Sequence, residues 1–182
     1  MDVKIIGDKA LKKIAAPIKE ITGEIINLSS EMITVVRENN GVGLAATQLG
    51  INKRLIILDY SPNSRNISQR MTEGEAFLIP QMPVALINPE ILSCSDSQVI
   101  SEEGCLSVPK IYANVARSSK ITVKVRLLNN DEICIECGGL LSIILQHEID
   151  HLNGMLFVDR LAPDQLEKIK SKINKLKARY HK

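Results

Sequence analysis

Two histidines four residues apart, with a glutamate beside the first, open the chemical reading: His147-Glu148-Ile149-Asp150-His151 is H-E-x-x-H. On a helix, residues i and i+4 lie one turn apart on one face, so both imidazoles can bind one metal ion. Glu148 can then reach a water activated there and take its proton, as in a metal-dependent hydrolase. The surrounding run, Leu140 to Asn153, is apolar on most sides and stops at Gly154, the pattern of a helix buried within a domain. Two histidines and two carboxylates in that setting would each cost on the order of several kcal/mol without partners. A metal removes most of that objection; the alternative is a hydrogen-bonded polar core.

A third ligand has to come from elsewhere. Extending the pattern to H-E-x-x-H-x-x-G-x-x-H holds through Gly154, but the last position is Phe157. Glu167, the only plausible later carboxylate, begins a Lys-rich helix, where an exposed charge is the expected role. Cys134 and Cys137 have C-x-x-C spacing, yet only nine residues separate Cys137 from His147. They also lie on a strand-like run, where a separation of three puts the two sulfurs on opposite faces. Cys105, in Glu103-Gly104-Cys105-Leu106-Ser107, remains open as a ligand or as a small buried hydrophobe. Gly104 beside it permits a bend or a close approach. Cys94 is read as a buried hydrophobe. A further segment, Gly41-Val42-Gly43-Leu44-Ala45-Ala46-Thr47-Gln48, lets backbone lie close to something else and adds an amide donor at Gln48. It has no G-K-[ST] and so is no phosphate loop.

These residues need elements to position them. Ile25, Leu28, Met32 and Val35 predict an amphipathic helix over 24–38, stopped at Asn39-Asn40-Gly41. Strand-like runs follow at 55–58, at 84–87 closed by Asn88-Pro89, and around 111–116. The clearest is Ile121 to Leu127, with Ile/Val/Val/Leu on one face and Thr/Lys/Arg on the other. A turn at Asn129-Asn130-Asp131 returns 132–137 as its hairpin partner. Residues 61–76 are polar and aperiodic and read as a long surface loop. A last helix from Pro163 places Leu166, Ile169, Ile173, Leu176 and Tyr180 on one stripe. Together these predict an α+β fold: mixed or antiparallel sheets packed around a central metal-binding helix, with an amphipathic C-terminal helix.

The 182 residues, 45% hydrophobic and 24% charged, suit one domain over 1–182 with 163–182 as its basic C-terminal helix. Four cysteines are too few for a disulfide scaffold. With 3% aromatic residues, base-stacking and sequence-specific nucleic-acid binding are not expected. No apolar run reaches a membrane span of roughly 18 residues and the start lacks a signal-peptide layout, so a cytoplasmic protein is expected. Residues 163–182 hold seven Lys/Arg against two acids, in a chain of net charge +2. That tail is either a solvated face or a contact for RNA or another acidic partner.

Taken in order, the 41–48 segment, Glu103-Gly104-Cys105-Leu106-Ser107 and Gln146-His147-Glu148-Ile149-Asp150-His151 resemble the three signature motifs of peptide deformylases, specifically bacterial type 1 members. The resemblance reaches about residue 162, and the trailing helix is similar to that of such members. It implies a hydrolase that removes the formyl group from N-terminal formyl-methionine of nascent proteins. It assigns the metal to Cys105, His147 and His151, with Fe²⁺ the usual ion, where ligand softness alone allows Zn²⁺, Fe²⁺, Co²⁺ or Ni²⁺. It makes Glu148 the base and Gln48 and the Leu106 N–H the oxyanion donors. It points to Val42, Leu140, Ile143 and Ile144 for the methionine side chain, with Gly43, Gly104 and the segment after Ser107 beside the peptide as an added strand. It also implies docking to ribosomes through the basic C-terminal helix.

This chain departs from the family at Tyr112, where many bacterial relatives carry a basic residue. Its 61–82 segment is longer than in compact relatives. Glu103 and Arg117, single charges among apolar neighbours, are expected to pair and support the Cys105 loop. Asp150 is expected to fix local structure, for instance by bonding a backbone donor, rather than to act as a base. Competing readings are a small zinc endopeptidase using the same helix and a metal-stabilised RNA-binding module.

Overall fold

The computed structural model describes residues 1–61 and 71–180. Helix α1 (Gly23–Glu38) buries Ile25, Met32, Val35 and Val36, and its left-handed stop is taken by Asn40 (φ 51°) rather than by Gly41. Strands β1 (Gly43–Ala45) and β2 (Leu55–Leu58) follow, then helix α2 (Glu73–Leu78) and strand β3 (Val84–Cys94). Strands β4 (Gln98–Cys105), β5 (Val108–Ser118), β6 (Lys120–Arg126) and β7 (Glu132–Gly138) lead into helix α3 (Gly139–Leu152). A 3-10 turn, Phe157–Arg160, precedes helix α4 (Pro163–Tyr180).

Among the described residues, five strands form one sheet in the order β1-β2-β3-β6-β7, and β4 and β5 form a separate ribbon. Every pairing is antiparallel, so the expected α+β architecture stands. Burial along β6 follows the predicted alternation, with Ile121, Val123 and Val125 inside and Lys124 out. Helix α3 lies against this sheet through Leu141, Ile144, Leu145, Ile149 and Leu152, which share one apolar cluster with Ile56, Leu58 and Leu86. Helix α4 buries Ile169 and Ile173 beside Val108, Ile111 and Val115 of β5, while Leu166 and Tyr180 of the same stripe remain exposed.

The structure corrects several expectations. Strand β3 does not close at Asn88-Pro89 but continues to Cys94, with the proline at a register shift between Ile87 and Glu90, where its missing N–H interrupts no ladder bond. Residues 73–76 belong to α2 rather than to a loop. Thr72 Oγ1 accepts from the Glu75 N–H, and Glu75 reaches back to the Thr72 N–H, a reciprocal cap that starts the helix. The rest of the expected 61–76 loop falls largely on 62–70, outside the described residues. Cys94 is exposed rather than buried. Cys134 and Cys137 do face opposite ways, one exposed and one buried, and burial pushes the Cys137 thiol up to about 12.

Candidate active site

Three elements bring the site together. Helix α3 carries His147, Glu148 and His151; the end of β4 carries Cys105; β1 and the 3-10 turn after it carry Gly43 and Gln48. The bend at Cys105 comes from the ribbon's register, where Gly104 pairs with Tyr112 but Cys105 pairs with Val108. The added residues of β5 form a bulge, and Lys110 within it adopts a left-handed φ of 63°. Cys105 is thereby turned toward α3.

Cys105 Sγ lies 3.2 Å from His151 Nε2, which lies 3.2 Å from His147 Nε2. The ligand atoms of all three residues fall within 4.8 Å of one another. A tetrahedral ion with bonds of about 2.0–2.3 Å needs its donors roughly 3.3–3.7 Å apart, close to this spacing. The donor chemistry agrees as well. Glu103 Oε2 accepts a hydrogen bond from His147 Nδ1 at 2.7 Å, so the proton sits on Nδ1 and the Nε2 lone pair points to the shared centre. One thiolate and two imidazoles suit a first-row divalent ion. Among the described residues this is the metal-competent cluster, and neither Cys134 nor Glu167 approaches it. Glu167 instead pairs with Lys170 on the exposed side of α4.

Glu148 is 4% exposed, and its Oε2 has no hydrogen-bond partner among the described residues. Burial pushes its carboxyl up to about 7, a value suited to exchanging a proton near neutrality. Gly43 explains how the carboxylate fits: a Cβ there would sit 2.5 Å from Glu148 Oε1. Gln48 is set by an N–H from Ala45 to its Oε1 at 2.8 Å, which leaves Nε2 facing Cys105 Sγ at 3.4 Å and Ser107 Oγ at 3.3 Å. Leu106 follows Cys105 in the turn between the ribbon strands.

All twelve expected site residues reach this region. Eleven of them, among them Val42, Gly43, Gly104, Leu140, Ile143 and Ile144, line one cleft of about 610 Å³ together with Cys105, Leu106, His147, Glu148 and Gln48. His151, the twelfth, lies behind them and is buried. Val42 and Leu140 are exposed at the mouth, whereas Ile144 also belongs to the core. Gly104 is bare because the Tyr112 ring lies against it, 2.5 Å from where a Cβ would be.

Behind His147 and His151 lies a buried charge network. Arg117 grips Glu103 through Nε and Nη2 at 2.7 and 2.9 Å, as the expected pair requires. Its Nη1 donates to Asp150 Oδ2 at 2.6 Å. Asp150 therefore holds local structure, and its side-chain partners among the described residues are two guanidiniums rather than a backbone donor, the second being Arg160. The Glu103 contact with His147 and the stacking of Phe157 on the His147 ring, at 6.3 Å and 20°, were also beyond sequence reasoning. The signal available was the coexistence of Glu103, Arg117 and Asp150 in apolar surroundings.

Comparison with known proteins agrees with this geometry. A family model described as polypeptide deformylase matches residues 1–167. The peptide deformylase of Thermodesulfovibrio yellowstonii is 41% identical over 172 residues, covering 94% of this chain and 95% of the relative. That of Rhizobium meliloti is 38% identical over 158 residues, covering 87% and 83%. Among solved structures, the peptide deformylase from Ehrlichia chaffeensis superposes with a TM-score of 0.82 at 30% identity, over 96% of this chain and 95% of the other. The one from Thermotoga maritima gives 0.76 at 34% identity, over 89% and 97%. A match of this length and identity places the chain in the polypeptide deformylase family, hydrolases that remove the N-formyl group from newly made polypeptides.

Proposed function

We propose that Cys105, His147 and His151 hold one divalent ion and that Glu148 moves the protons of formyl hydrolysis, with 1–182 acting as a single catalytic unit. The observation that carries this reading is the convergence of one thiol sulfur and two imidazole nitrogens within 4.8 Å beside a buried carboxylate oxygen with no partner among the described residues. An ion held there would supply Lewis acidity to the formyl oxygen and to water. Fe²⁺ is our choice of resident ion, with Zn²⁺, Ni²⁺ and Co²⁺ compatible with the same donors.

The chain's own residues then do the following. Glu148 takes a proton from the water that attacks the formyl carbon and holds it on its carboxylate. Negative charge gathers on the former carbonyl oxygen, where Gln48 Nε2 and the Leu106 N–H donate to it. As the C–N bond breaks, Glu148 returns the proton to the departing nitrogen, leaving formate and a free amine. The methionine side chain enters among Val42, Leu140, Ile143 and Ile144, and the peptide backbone runs beside Gly43 and Gly104 as an added strand.

The test is formate release from formyl-Met-Ala-Ser by anaerobically purified, Fe²⁺-loaded protein, run beside the acetylated peptide and Glu148→Gln. Release by the unaltered protein from the formylated peptide alone is expected. The variant should fall by about 10²- to 10⁴-fold, the usual scale for a lost general base. Formate release undiminished in Glu148→Gln would remove the assigned base, and cleavage of internal peptide bonds would favour an endopeptidase. We further propose a cytoplasmic enzyme that docks on ribosomes through α4, whose lysines are exposed; among the described residues no helix is long and apolar enough to cross a membrane. Ribosome binding should weaken steeply with salt, and salt-independent binding would count against the docking face.

A further inference from the structure

The charge network does not end at Arg117. Arg160, on the 3-10 turn Phe157–Arg160, donates through Nε to Asp150 Oδ2 and through Nη2 to Asp150 Oδ1, each at 2.5 Å. Asp150 passes the contact to Arg117 Nη1, Arg117 forks onto Glu103, and Glu103 accepts from His147 Nδ1. Arg160 is 40% exposed, whereas Asp150, Glu103 and Arg117 are each 5% exposed or less. The outermost member is thus a cation at the surface whose hydrogen-bond partner among the described residues is a buried carboxylate.

Charge balance shows what that position does. The network holds two carboxylates and two guanidiniums. Without Arg160, Arg117 faces both carboxylates alone, and Asp150 Oδ1 loses its donor. A guanidinium shared between two buried anions is drawn toward the less satisfied one, here Asp150, and its fork on Glu103 loosens. Glu103 is the group that orients the His147 ring. The same turn also reaches that ring directly, since Phe157 stacks on it.

We propose that Arg160 is a positioning residue for the metal centre: by clamping Asp150 it keeps Arg117 on Glu103, and so keeps His147 Nε2 aimed at the point shared with Cys105 and His151. The inference rests on the reading of those three residues as ligands. Outer partners of metal-bound histidines commonly change metal affinity by about 10- to 100-fold when removed. Arg160, three contacts further out than Glu103, belongs at the lower end of that range.

The experiment uses the full chain loaded with Co²⁺. Thiolate-to-Co²⁺ absorption that is present in the unaltered protein and lost in Cys105→Ser establishes the ligands first. The rate of Co²⁺ transfer to EDTA is then measured for Arg160→Gln, Arg160→Lys and Asp159→Asn. Asp159 Oδ2 accepts from the Leu156 N–H and pairs with Lys12, so Asp159→Asn weakens the anchoring of the same turn by removing its ion pair, without touching Asp150. Arg160→Gln should release Co²⁺ about tenfold faster, Arg160→Lys should fall between, and Asp159→Asn should release at the unaltered rate. Release from Arg160→Gln at the unaltered rate would overturn the proposal. So would equally fast release from Asp159→Asn, since turn stability would then explain the effect. Absence of thiolate-to-Co²⁺ absorption in the unaltered protein would overturn the ligand reading itself.

Discussion

Toward the five-stranded sheet, α3 presents Leu141, Ile144, Leu145, Ile149 and Leu152, which join one apolar cluster with residues of the sheet. Toward β5 it presents Ser142, Gln146 and Asp150, again one turn apart, and each finds a directional partner. Ser142 Oγ and Gln146 Nε2 donate to the Ser118 carbonyl, and Asp150 accepts from Arg117. Both faces are buried. The apolar face is held by contact area and adapts to a change of shape. The polar face is held by bonds with fixed partners, and removing one member leaves another uncompensated. The proposed ligands His147 and His151 lie between the two, so α3 is anchored by one face and aligned by the other.

The largest expected effect comes from the centre of the polar face. Arg117→Met leaves Glu103 and Asp150 without their common cation, and breaking a buried pair in this way costs about 3–5 kcal/mol. Leu145→Met, at a fully buried position of the apolar face, should cost less than about 1.5 kcal/mol. Urea denaturation of the metal-free protein compares them. Equal costs would mean that the polar face is held by packing after all.

A pH series sharpens the same contrast. Burial alone would raise the Glu103 carboxyl, but hydrogen bonds from Arg117 and His147 outweigh it and hold the group down at about 2, against an ordinary value of 4.5. A depressed carboxyl stabilises the fold fully above the unfolded value, and that stability is lost as pH falls from 4.5 toward 2. The gap between the unaltered protein and Glu103→Gln should therefore be at most about 3 kcal/mol near pH 6 and should close on acidification. The gap for Leu145→Met should stay flat over the same acid range, because that substitution removes no titrating group. A Glu103→Gln gap that is constant across the range would contradict the assignment of that stability to charge.

The same distinction decides what could be read from the sequence. The apolar face of α3 and the alternation in β6 are periodic in hydrophobicity, so α3, β6 and β7 are legible within a residue or two. The ribbon strand β4 is not, since Gln98 to Cys105 bury only Glu103 and a strand exposed on nearly all sides has no apolar period. Helix α2 is hidden by its polar composition, although Thr72 and Glu75 carry a capping signature. Cys94 is exposed because β3 runs on past the core, which sequence spacing does not reveal. At the site, H-E-x-x-H is local and could be read directly. Cys105, Gln48 and Glu103 come together only through the ribbon and the turn after β1, so chemistry limited the choices and the three-motif resemblance made them. Arg160 reaches Asp150 ten positions away, across a loop whose path no local pattern specifies.

The smallest expected effect asks whether the two faces differ by polarity or by charge. Ser142 is fully buried; its Oγ donates to the Ser118 carbonyl at 3.1 Å and accepts from Gln146 Nε2 at 3.0 Å. In Ser142→Ala neither partner is orphaned. The Ser118 carbonyl still accepts from Gln146 Nε2 at 2.9 Å, and Gln146 Nε2 still donates to the backbone carbonyl of residue 142. The variant should therefore lose only a neutral hydrogen bond, about 0.5–1.5 kcal/mol. That is the range for Ile144→Val on the opposite face, about 0.5–1.5 kcal/mol as the usual cost of one buried methylene. Near-equal urea midpoints for these two variants, beside the wide gap between Arg117→Met and Leu145→Met, would assign the difference between the faces to the buried charges. A Ser142→Ala loss approaching that of Arg117→Met would assign it to hydrogen bonding as such, and the network behind His147 would then extend along the whole stripe from Asp150 to Ser142.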